Sequence, residues 1–154
     1  FSLSRLYNTC LFIGFIKWAP GTVASFISII LITFVKNNIN FFLFNLIFIF
    51  LLLISIKMIG IYSAKIGKKD ASEIVIDEVI GVYFIFIIIN NLVIFSQIID
   101  MLLIFILFRF FDIFKPFPIK VIDQKIKNSI GVILDDIIAG VYTIIILLCI
   151  NAFI

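Results

Sequence analysis

The chain has 154 residues, 64% of them hydrophobic, with a mean hydropathy of +1.35. Soluble domains carry about 45–50% apolar residues, so an integral membrane protein is expected, short enough to be a single domain over residues 1–154. The net charge is +3 and there is no histidine, which excludes histidine phosphotransfer, His-ligated zinc and a Ser-His-Asp triad.

The expected architecture is all-α: a multi-pass helical bundle of four to five membrane-embedded helices, some short or re-entrant. The opening segment to Lys17 contains the apolar run Leu11–Ile16. That run is too short to span and reads as interfacial or partly buried. No small-residue cleavage site follows an apolar run here, so no secretory signal is expected. Next comes Trp18-Ala19-Pro20-Gly21-Thr22. Pro20-Gly21 signals a turn, and Thr22 is placed to cap the helix that follows. A helix start also offers free N–H groups to an anion.

Val23–Val35 and Ile39–Ile56 are apolar and separated by Lys36-Asn37-Asn38. They read as a helical hairpin, with the first arm shorter than the ~20 residues of a straight span. Lys57, Lys65, Lys68 and Lys69 follow with no acid among them, which predicts a cytoplasmic loop. Asp70 and Glu73 are spaced as a near capping box, starting a helix over about Ala71–Ile89. Asn90-Asn91 breaks it, and Leu92–Phe108 returns. Pro116 disfavours helical geometry at Lys115, so this helix should end there. Asp123 and Lys127 read as an ordinary i,i+4 surface pair. The last apolar run is Ile137–Ile154, with Asp135 and Asp136 at its entrance. Cys10 and Cys149 have no C-x-x-C partner and read as inert core thiols.

All nine acidic residues lie between Asp70 and Asp136. Two hairpins plus a terminal span would bring Thr22, Asp77, Glu78, Arg109, Asp112, Lys115, Asp135 and Asp136 to one side of the membrane. Arg109, Asp112 and Lys115 are three residues apart, a spacing that keeps neighbouring members on one helix face. Asp77 and Asp136 are each followed four residues later by glycine, Gly81 and Gly140. A glycine on the same face lets another backbone approach beside the carboxylate. Adjacent acids at a membrane edge need neutralising. Hard oxygen ligands without His or Cys suit Mg²⁺. Carboxylates beside Arg109, Lys115 and Lys69 suggest metal-assisted chemistry on a phosphate, and the membrane setting suggests a phospholipid. A small cation-coupled transporter using the acids as its ion path is the alternative, and a non-catalytic assembly subunit a third reading. Placement of the acids at segment ends disfavours the transporter.

Four segments together resemble the phosphatidylglycerophosphatase A family: APGT at Ala19–Thr22, D-x-x-x-I-V-x-D-E at Asp70–Glu78, FRFFDIFKPFP at Phe108–Pro118 and DDIIAG at Asp135–Gly140. The resemblance implies a multi-pass enzyme of the bacterial inner membrane, and the lysine-rich loop before Asp70 puts the site on its cytoplasmic face. It would convert phosphatidylglycerophosphate to phosphatidylglycerol with Mg²⁺. The implied partners are the phospholipid and the membrane, with no nucleic acid. Carried over by position, Asp70, Asp77, Glu78, Asp135 and Asp136 would hold metal. Asp112 would be a further ligand or the base for water, Arg109 and Lys115 would clamp the phosphate, and Thr22 would donate at a helix start.

Overall fold

The computed structural model describes residues 2–67, 71–126 and 128–153, and every regular element among them is helical. The helices are α1 (Leu3–Asn8), α2 (Pro20–Asn38), α3 (Phe41–Ile66), α4 (Ile76–Ile88), α5 (Gln97–Phe114), α6 (Ile119–Lys125) and α7 (Ser129–Phe153), with one 3₁₀ turn at Ile13–Phe15. Helices α2, α3 and α7 are long and apolar enough to cross a membrane. Helix α4 has 13 residues. It rises only about 20 Å, against a hydrocarbon core of about 30 Å. Helix α5 has 18 residues but carries Asp100, Arg109 and Asp112.

Several boundaries fall where the sequence puts them. Asn40 caps α3, its side chain accepting from the Leu43 N–H at 2.8 Å. Helix α5 ends at Phe114, and Lys115 turns into the left-handed region at φ 43°. Others differ. Helix α2 begins at Pro20, with Ala19 as the preceding cap residue and no side-chain cap bond. Thr22 therefore lies inside the first turn and does not cap it. Helix α3 continues to Ile66, so Lys57 and Lys65 are helical rather than part of a loop. Lys68 and Lys69 lie outside the described residues, as does Asp70. Helix α4 begins at Ile76, not near Ala71. Glu73 does not close a capping box within the described residues; its carboxylate accepts from the Tyr62 hydroxyl of α3. Cys149 is exposed on α7 rather than in the core. Cys10 is partly buried; desolvation, with some help from the charge of Glu78, pushes its thiol up to about 12 and keeps it neutral.

The expected hairpins are not packed as hairpins. Helices α2 and α3 meet only lightly, and both pack on α4. Helix α7 packs on both α4 and α5. The short α4 and the terminal α7 therefore form the centre, and α3 sits outside. Core residues Val82, Tyr83, Ile85 and Phe86 of α4 meet Phe108 of α5 and Ala139 and Leu147 of α7. The N-terminal segment straps the loop before α4. Buried Asn8 donates from Nδ2 to the Met58 carbonyl at 2.8 Å, and its own carbonyl accepts from the Val75 N–H at 2.9 Å. At the opposite end of the bundle, Lys36, Asn37, Asn90 and Asn91 help line a cavity of about 380 Å³.

Candidate active site

The site forms where the first turns of α2 and α4, the last turns of α5 and the second turn of α7 converge. Its floor is set by glycine. A Cβ at Gly81 would stand 2.9 Å from the Asp136 carbonyl oxygen and 3.0 Å from the Asp136 Cβ. A Cβ at Gly140 would stand 3.2 Å from the Gly81 carbonyl. The two acid-to-glycine spacings thus face each other across the α4–α7 crossing. Close backbone approach between small residues is how membrane helices pack tightly. Here it brings Asp77 and Glu78 to Asp136, with one carboxylate oxygen from each within 4.8 Å of the others. Gly21 serves the same purpose on the α2 side. A Cβ there would collide with the Glu78 carboxylate and lie 3.2 Å from Arg109 Nη1.

Two cations stand against six carboxylates in this cluster. Arg109 Nη1 is 2.5 Å from Asp112 Oδ2 and 3.7 Å from Glu78 Oε1. It also donates to Ser25 Oγ at 3.5 Å, whose hydroxyl in turn donates to the Gly21 carbonyl at 2.7 Å. Lys115 Nζ is 2.8 Å from Asp135 Oδ2 and 3.2 Å from Asp123 Oδ1. Burial works to lower the Lys115 pKa, but the bonds and charges of Asp135 and Asp123 outweigh it and hold it above the ordinary lysine value. Asp123 thus reaches Lys115; the expected partner of Asp123, Lys127, lies outside the described residues.

This leaves Asp77 and Asp136 without an ion-pair partner among the described residues, although they are only 8% and 3% exposed. Asp77 Oδ1, Glu78 Oε2, Asp135 Oδ1 and Asp136 Oδ1 are buried without hydrogen-bond partners. Buried charge in this amount requires either protons or a cation. An all-oxygen donor set of this spacing fits a hard divalent ion. Asp77, Glu78 and Asp136 are the residues that could hold one.

Seven expected site residues therefore come together: Asp77, Glu78, Arg109, Asp112, Lys115, Asp135 and Asp136. Thr22 is near by sequence, one residue beyond Gly21, and half-buried. Its neighbour one turn on, Ser25, is the hydroxyl that meets Arg109. The sequence reading missed Ser25 and Gly21. A signal existed in their i,i+4 spacing, which repeats the glycine spacing of the acidic helices.

A helical membrane bundle with buried acids facing a paired arginine and lysine is the class of protein that fold and site define. The model of the Phosphatidylglycerophosphatase A family matches residues 6–151. The chain is 34% identical to Phosphatidylglycerophosphatase A of Haemophilus influenzae over 90% of its own length and 82% of that protein. It is 43% identical to the Escherichia coli protein of the same name over 37 residues, 24% of this chain and 22% of that one. It is 35% identical to a Bacteroides thetaiotaomicron protein provisionally named phosphatidylinositol-3-phosphatase, over 51% of this chain and 48% of that one. No solved structure matches it. The chain belongs to the phosphatidylglycerophosphatase A family and is a phosphatase. Membership of an enzyme family displaces the transporter and assembly-subunit readings.

Proposed function

We propose that this protein hydrolyses the phosphate monoester of phosphatidylglycerophosphate to phosphatidylglycerol, with Mg²⁺ held by Asp77, Glu78 and Asp136. The observation that carries the reading is that trio of carboxylates within 4.8 Å, beside an arginine, in a chain of this family. Mg²⁺ in such a site supplies an acidified water and neutralises phosphoryl oxygens. The chain's own residues supply the rest. Arg109 gives planar paired donors suited to phosphate, and Lys115 a point charge at the rim. Asp112 stands outside the trio, on Arg109, which supports its role as the base that takes the proton of the attacking water. The water oxygen bonds to phosphorus as the P–O bond to glycerol breaks, and the departing oxygen takes a proton from solvent. Asp135, held by Lys115, keeps one oxygen free for the same cluster. Asp70 is assigned to the metal only by its position in the sequence motif, and Thr22 is assigned as a donor on the same ground.

The site is assigned to the cytoplasmic face of a bacterial inner membrane. Arg5, Lys17, Lys65, Lys120 and Lys125 all lie in segments at the site's end of the bundle, whereas Lys36 is at the other end. That distribution follows the positive-inside rule.

Phosphate release by the full chain in detergent tests the proposal. Release from phosphatidylglycerophosphate with Mg²⁺, and its loss on chelation, is expected. Release that survives chelation overturns the metal assignment. Release from phosphatidylinositol 3-phosphate but not from phosphatidylglycerophosphate overturns the substrate.

A further inference from the structure

An apolar groove of about 390 Å³ lies between the N-terminal segment (α1 and the turn after it) and α2, with Ile76 and Val79 of α4 at its base, beside the site. Its volume falls within the ~300–1,000 Å³ of small-molecule sites. We infer that this groove seats one fatty acyl chain of the phospholipid whose phosphate enters the carboxylate site, an inference that rests on the lipid-phosphatase reading above.

Three observations select that occupant. The first is continuity. The groove walls interleave with the site: Ile76 precedes Asp77, Val79 follows Glu78, and Ala24 and Ser28 flank Ser25. On the same helix as Ala24, Gly21 sits against the Glu78 carboxylate of the site. A molecule with its phosphate at Arg109 has its tail delivered to this groove. The second is length. From Ala24 to Ile32 the α2 wall rises about 12 Å, most of the ~15 Å depth of one leaflet. The third is chemistry. The hydroxyls in the lining are already engaged: Ser28 donates to the Ser25 carbonyl at 2.8 Å, and the Tyr7 hydroxyl is bonded to the Leu51 carbonyl at 3.3 Å and Ser55 at 3.0 Å. The remaining lining is hydrocarbon apart from the neutral thiol of Cys10. No donor is left for a polar ligand, and burial of methylenes is what the groove rewards.

The test compares phosphatidylglycerophosphate bearing palmitoyl chains with its water-soluble dibutanoyl analogue, using the full chain in detergent micelles. Ala24→Leu and Leu31→Trp both narrow the groove; Ala24 is buried and Leu31 is 58% exposed, so the second variant keeps the test open if the first does not fold. The ratio of kcat/KM for the long-chain to the short-chain substrate should fall about tenfold, the effect of excluding about two methylenes. An unchanged ratio in a folded variant overturns the inference, and so does an equal loss on both substrates. If the unaltered protein releases phosphate from neither lipid, the phosphatase reading has failed, and labelling decides the groove. Phosphatidic acid with a diazirine in its palmitoyl chain should then label residues 24–32 more heavily than the outer face of α3. Uniform labelling, or labelling of α3 alone, overturns the inference and assigns the groove to bulk lipid or a second copy.

Discussion

Helices α3 and α4 are both almost entirely apolar in sequence, yet they do opposite things. Helix α3 has 26 residues, of which only Phe44, Ser55, Ile59 and Tyr62 are buried. It exposes Phe42, Leu46, Phe50 and Leu53 along its outside, as a helix facing lipid does. Helix α4 has half the length and buries eight residues, including Asp77 and Gly81. Length and hydropathy alone would rank α3 as the more important. The comparison teaches that in lipid, where tails are as apolar as leucine, the packed centre is marked by small residues and buried polar groups.

That contrast can be broken or sharpened experimentally. The largest effect is expected at the face where α4 meets α7. Asp136→Asn should lower Mg²⁺-dependent phosphate release by about 10²–10³-fold, the usual cost of losing one charge-stabilising group, while the protein remains in the membrane fraction. Undiminished release would move the metal away from this helix pair. Arg109→Lys keeps the charge but loses the planar guanidinium whose Nη1 meets Glu78, Asp112 and Ser25 and whose second nitrogen is available to phosphate. A loss of about 10- to 100-fold in kcat/KM is expected, one to two charge-assisted hydrogen bonds. Gly81→Ala forces its methyl against the Asp136 backbone, and should cost about 1–3 kcal/mol of stability, as overpacking does, read as a lower unfolding temperature in detergent. Gly60→Ala on α3 is the matched control. Its Cβ would meet only Ser129 Oγ at 3.7 Å, an ordinary contact. It should leave activity unchanged and add up to about 1 kcal/mol through helix propensity. A destabilised Gly60→Ala with a neutral Gly81→Ala would reverse the assignment of centre and periphery.

Much of this was legible in the residues. Pro116 fixes the end of α5 and Asn90 the region where α4 gives way to a loop, because each acts through local backbone chemistry; the cap at Asn40 is passed over when Ile39–Ile56 is read as one apolar arm. The acid-to-glycine spacing marked the crossing of α4 with α7, because helix periodicity puts both on one face. What was hidden depended on distant competitors. Glu73 looks like a capping residue until Tyr62, eleven positions away, captures it. Nothing near Asp123 in the sequence reveals that Lys115, from the end of α5, reaches both it and Asp135. Gly21 reads as a turn residue beside Pro20, and nothing local reveals that a carboxylate from another helix needs the space its side chain would fill. Order in the chain also misled: two apolar arms joined by a tight tip suggest neighbours, whereas α2 turns its packing toward α4 and α5.

The shortness of α4 has a consequence on the side away from the carboxylates. The helix falls about 10 Å short of the hydrocarbon thickness, and the chain beyond it must satisfy its amides without water. Asp100 does so, accepting from the Ile94 and Phe95 N–H groups at 3.0 and 3.2 Å. With Lys36 and the paired asparagines around the hollow above α4, the distal leaflet meets a polar notch. The helices long enough to span, α2, α3 and α7, surround α4, so its missing length is made up inside the bundle by polar side chains rather than at the lipid boundary.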